Sequence, residues 1–127
     1  MKSVPWRRLW RVSAGLIGAA SVALAAISAH GMEGQAQQWA AKASHFALLH
    51  AAVLLALSLG RGAVGPWLAA GGGLLLLGIL LFCGSLTGMA LWGWPVTLVT
   101  PTGGLCFIIG WLALGLSGIT EYSGPEV

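Results

Sequence analysis

Between Arg61 and Glu121 the chain contains no Asp, Glu, Lys, Arg or His. A water-soluble domain carries roughly 25% charged residues, and so long a stretch without any cannot cover a surface that faces water. A helix that crosses a bilayer needs about 20 mostly apolar residues, so this stretch is long enough for two spans and a turn. The turn is marked by WGWPVTLVTPT, Trp92 to Thr102, which holds two prolines and a cluster of turn-forming residues. Ahead of Arg61 the pattern repeats, with an uncharged run from Val12 to Ala29 and a second from Ser44 to Leu59. Of the 127 residues only 7% are charged and 57% are hydrophobic, and the mean hydropathy is +0.89. The length allows one domain. The chain therefore reads as an all-α membrane protein, a four-transmembrane-helix bundle filling one integral membrane domain over 1–127. The spans fall at about 9–29, 35–59, 66–91 and 101–119.

Several boundaries have local causes. The segment EGQAQQWAAKAS, Glu33 to Ser44, is rich in Ala and Gln and lacks breakers. It either lies at the surface as its own helix or runs straight into the second span, making one element from about Gln35 to Leu59. Helix three exceeds what a bilayer core requires and must tilt or protrude. Thr100-Pro101 is a start signal for helix four, with threonine as the cap and proline at the first helical position.

Charge position sets the expected orientation. Lys2, Arg7, Arg8, Arg11 and Arg61 fall on one side and Lys42 on the other. Basic residues favour the cytoplasm, so both termini are expected there, in the cell's inner (plasma) membrane. Tryptophan placement agrees: Trp6, Trp10 and Trp67 with Tyr122 at the inner interface, Trp39, Trp92 and Trp94 at the outer. Only Trp111 falls inside a span. A competing reading treats the first run as a signal peptide cut near Ala23-Leu24-Ala25. The run reaches Ala29, which is long beside the usual h-region of about 7–15 residues.

These features exclude several function classes. The formal charge of +3 is an N-terminal feature, not a basic face, so nucleic acid is not an expected partner. Cys83 and Cys106 lack metal or redox spacing and read as small hydrophobes. There is no aspartate, and the only acid near a histidine is Glu33. No catalytic constellation follows, and neither an enzyme nor a cofactor or metal site is expected. Gly71-Gly72-Gly73 is not a phosphate loop, because no Lys-Ser/Thr follows it.

Two groups of residues remain as candidates. Small residues let membrane helices approach closely. Gly84, Gly88, Gly103, Gly104 and Gly110, together with Trp111, are therefore the expected packing residues. Ala14 with Gly18 and Ala113 with Ser117 follow the same spacing. Either internal packing or a face for a second copy or a larger membrane complex would use them. The other group is polar. His30, His45 and His50 all fall in the outer half of the protein, near Glu33. Five positions separate His45 from His50, about 140° around a helix, so they cannot chelate one metal from one face. A buried imidazole must find a partner. Depth in the bilayer points to Ser85, giving His30, His50 and Ser85 as the candidate polar site.

The motifs LFCGSLTGMAL (Leu81–Leu91), TPTGGLCFIIGW (Thr100–Trp111), ISAHG (Ile27–Gly31) and HAAVLLAL (His50–Leu57) occur in an order that resembles the YgdD-like family. These are small bacterial inner-membrane proteins with a domain of unknown function, number 423, and they have a small transmembrane relative in animals. The resemblance covers about Ala14 to Ile119. It departs at Thr87, where relatives often carry tyrosine, and His45 matches no motif of the family. It implies four helices, an uncleaved first span and no assigned reaction. Two functional readings stand. One is a structural or accessory membrane protein that packs against itself or a larger complex. The other is a small carrier of protons or solute using His50 and Ser85.

Overall fold

A computed structural model describes residues 5–121. Four helices long and apolar enough to cross a membrane follow one another: α1 (Trp6–Gly31), α2 (Gly34–Leu59), α3 (Pro66–Trp92) and α4 (Val99–Thr120). The tight corner Met32–Glu33 joins α1 to α2, so the Ala/Gln-rich segment is part of one unbroken α2. Hydrogen bonds link the start of α1 to the end of α2, and the end of α4 to the start of α3. The start of α1 and the end of α4 therefore lie on one side of an up-and-down bundle.

Helix α3 is the hub of the bundle, and its middle is irregular. Ile79–Cys83 forms a π-turn, with the amide of Gly84 reaching back to the carbonyl of Ile79. A π-turn inserts one extra residue, which rotates everything after it by about 100°. The inner half of α3, meaning the half on the side where α1 starts, packs against α4, and the outer half packs against α2. One helix thus offers two faces to two neighbours.

Small residues set the inner α3–α4 contact. Gly71 lies against the carbonyl of Gly110, and Gly78 against that of Gly103, so an added Cβ would meet either oxygen at 3.1 Å. A Cβ on Gly103 would collide with the backbone nitrogen of Phe82. Gly103 and Gly110, read from the sequence as packing residues, face Gly78 and Gly71, two glycines that the sequence did not single out for this. Gly104 has only the Phe82 ring near it, at 3.9 Å. Gly84 and Gly18 have open space where a side chain would go, so neither is a contact residue. Gly88 packs against the folded-back ring of Trp94. Gly93, in the left-handed region at φ 65°, makes that reversal possible.

Helix α1 is held mainly by α2. Its buried small residues Ala14, Ser21 and Ser28 recur every seven positions and form the seam. At the inner end, Trp10 is fully buried over Gly72 of α3. The missing Cβ of Gly72 admits the ring to the core, so it faces the bundle and not its outer surface. Tyr122 lies outside the described residues.

Candidate functional site

A cluster of five rings forms where α2, α3 and α4 meet, beside the π-turn. Phe46 and His50 come from α2, Phe82 from α3, and Phe107 and Trp111 from α4. All the phenylalanines of the chain are in this cluster. The imidazole of His50 stacks on the Phe107 ring at 3.9 Å between centroids. Phe82 meets Phe46 at 5.0 Å and the edge of Phe107 at 5.6 Å. Only 2% of the His50 surface is exposed, so its polar atoms must be satisfied internally.

They are. His50 Nδ1 donates to the carbonyl of Phe46 at 2.7 Å, and Trp111 Nε1 donates to His50 Nε2 at 3.2 Å. An indole N–H can only donate and a carbonyl can only accept. The ring is thus the neutral tautomer with its proton on Nδ1. This overturns the expected His50–Ser85 pair. Ser85 instead donates to the carbonyl of Phe82 at 3.0 Å and shares a 2.6 Å hydrogen bond with the Thr100 hydroxyl. Thr100 in turn is not the cap of α4. The helix begins one residue earlier, at Val99, and puts Pro101 in its first turn, where no intrahelical donor is required. The two polar ties are separate: His50–Trp111 joins α2 to α4, and Ser85–Thr100 joins α3 to α4.

His30 and His45 are exposed; His45 meets only the edge of the neighbouring Phe46 ring, at 6.3 Å between centroids, and His30 stands apart. Among the described residues no three His, Cys, Asp or Glu side chains come together. Trp111 makes its bond to His50 with the indole edge while 46% of its surface stays exposed, so it packs inward and faces outward at once.

A lateral groove of about 550 Å³ opens between the outer halves of α1 and α3, with Ala43 and Ala47 of α2 as its floor. It exists because α1 and α3 meet at Trp10 and Gly72 and diverge from there. Its walls are apolar. The hydroxyls of Ser21 and Thr87 donate to the carbonyls of Ile17 and Cys83, at 2.6 and 2.7 Å, and so are turned away from any guest.

Sequence reasoning missed the aromatic partners of His50. The order Phe46-x-x-x-His50 puts two rings on one helical face, and Phe107-x-x-x-Trp111 does so on another. That spacing was the available signal. Also missed were the charged residues that close helix ends. Arg7 donates to the carbonyl of Leu57 at 2.6 Å, Arg11 to that of Ser58 at 3.2 Å, and the Glu121 carboxylate accepts from the amides of Trp67 and Leu68 at 2.6 and 3.1 Å. Cations at a helix C-terminus and an anion at an N-terminus both suit the helix dipole.

A family described as "Protein of unknown function (DUF423)" matches residues 24–104, a range that takes in the end of α1, all of α2 and α3, and the start of α4. The chain belongs to this family. DUF423 relatives include a UPF0382 membrane protein of Haemophilus influenzae, 35% identical over 85% of this chain and 91% of that one. A UPF0382 membrane protein of Staphylococcus epidermidis is 37% identical over 74% of this chain and 81% of its own length. One from Staphylococcus haemolyticus is 34% identical over 87% and 94%. No solved structure matches the chain. As a DUF423 member with four apolar helices, it is a multi-pass membrane protein.

Proposed function

We propose that this DUF423 protein is a non-catalytic structural or accessory component of the cell's inner membrane, acting by packing against copies of itself or within a larger membrane complex. The observation that carries this reading is the closed bonding of His50. Both ring nitrogens are engaged inside the bundle, on Phe46 and Trp111. A carrier would need one of them free to take up a proton or to meet a solute. The hydroxyls of Ser21 and Thr87 are likewise turned onto carbonyls, and those of Ser85 and Thr100 onto each other. The groove between α1 and α3 is lined mainly by apolar side chains. No cofactor, metal or nucleic acid enters this reading.

We also infer the orientation with both termini in the cytoplasm. Its support is the gathering of Arg7, Arg8, Arg11 and Arg61 at one end of the bundle, while Lys42 belongs to the other. The accessory role is tested by gentle detergent extraction of the full chain followed by native mass spectrometry. Complexes containing further copies or other membrane subunits are expected. A monomer alone, at every detergent strength, would overturn the role.

A further inference from the structure

The arginines at the inner end of α1 form a site of their own. Arg7 and Arg11 sit one helical turn apart and reach across to the last turn of α2. Arg7 Nη2 donates to the carbonyls of Arg61 and Gly62 at 3.1 and 3.2 Å, and Arg11 Nε donates to Ser58 Oγ at 3.4 Å. These bonds fix the guanidinium groups in place but leave their charge uncompensated, since every acceptor is neutral. The described carboxylates do not help. Glu33 belongs to the opposite end, and Glu121 is engaged by the amides at the start of α3. Among the described residues this end carries four arginines against one glutamate.

Two recesses flank this charge. One, of about 310 Å³, is lined by Arg7, Arg8, Arg11, Val12 and Ser58. The other, of about 470 Å³, lies between Trp6 and the Gly62–Val64 loop and shares Arg7 and Arg8 as a wall. Below them the surface changes character at once. Arg8, Val12 and Leu16 follow one another at four-residue spacing down one face of α1, with Val12 and Leu16 exposed at 55% and 70%. Trp6 and the exposed Trp67 mark the depth of an interface. A cationic cradle above an apolar stripe is the shape of a phospholipid turned inside out.

We propose that the Arg7–Arg8–Arg11 cluster binds the phosphate of an anionic phospholipid, with the acyl chains lying along Val12 and Leu16. The planar guanidinium fork matches phosphate oxygens, and groups already held by α2 lose little freedom on binding. The paired recesses on either side of Arg7 and Arg8 suit a lipid with two phosphates, such as cardiolipin, better than one with a single phosphate. Arg8 is the residue to change, because Arg7 and Arg11 also close the end of α2.

The test is native mass spectrometry of the full chain in detergent, titrated with cardiolipin, phosphatidylglycerol, phosphatidylcholine and pyrophosphate. Cardiolipin should be retained most strongly, phosphatidylglycerol next, and phosphatidylcholine least. Arg8→Gln should weaken cardiolipin retention about fivefold, from the usual contribution of one basic residue near an anionic surface. Arg8→Lys should restore much of it, and Lys42→Gln at the opposite end should change nothing. Equal retention of phosphatidylcholine, an unaltered Arg8→Gln titration, or pyrophosphate binding as tight as cardiolipin would each overturn the site.

Discussion

Removing the imidazole of His50 does two things at once: it orphans the indole N–H of Trp111 and takes a ring from the stack on Phe107. Hydrogen bonds between membrane helices average about 0.6 kcal/mol and reach about 1.7. Truncating a buried aromatic ring to alanine costs about 3–5 kcal/mol. Packing therefore dominates. His50→Ala should cost about 3 kcal/mol, whereas His50→Phe, which keeps a ring on Phe107, should cost about 1 kcal/mol. Unfolding in mixed micelles measures both. A double-mutant cycle of His50→Phe with Trp111→Phe should give a coupling of about 0.6–1.7 kcal/mol; a coupling of zero would mean that the bond contributes nothing. That His50 is buried and needs a partner was legible from its place in an apolar span. Which partner was not. Depth ranks neighbours along the membrane normal, but the direction around the helix axis decides between Ser85 and Trp111, and it depends on how the helices are rotated.

The same rotation separates the glycines that matter from those that do not. Gly84 sits in a small-xxx-small pattern yet faces open space, whereas Gly103 lies against the backbone of Phe82. Gly84→Ala should be neutral or stabilising by up to about 1 kcal/mol, because alanine is the better helix former. Gly103→Ala should cost about 1–3 kcal/mol, the usual penalty for overpacking, since the atom it meets is main chain and cannot swing aside. Thermal unfolding of the two variants side by side decides this, and equal effects would refute the assigned contact. Small-xxx-small spacing shows only that two residues share a face, not which neighbour that face meets. At about 100° per residue Gly84 already lies about 120° around the helix from Gly78, and the extra residue of the π-turn at Ile79–Cys83 turns the outer half by about a further 100°. No residue type announces such a turn. It exists because α3 must serve α4 below and α2 above, a tertiary demand that no local window contains.

At the scale of the whole molecule, the number of spans was the most legible feature, since it follows from length, missing charge and one proline-rich break. The up-and-down order of the helices follows from their short connections. Orientation is testable at two exposed positions. With both termini in the cytoplasm, Gln35→Cys should react with a membrane-impermeant maleimide on intact cells, and Ala63→Cys only after the membrane is opened. The reverse labelling pattern would invert the topology. What the sequence could not announce is the closing of helix ends by distant side chains, because each such pair is joined only by the fold. Glu121 is the clearest instance, lying 54 positions from the Trp67 amide it receives. That separation has a consequence in time. While the chain is being made, the first turn of the third helix enters the bilayer with bare amides, and their acceptor has yet to be synthesised. Until residue 121 emerges, that end of the hub must be shielded by water, lipid headgroups or the insertion machinery, so the last helix to arrive is also the one that completes the third.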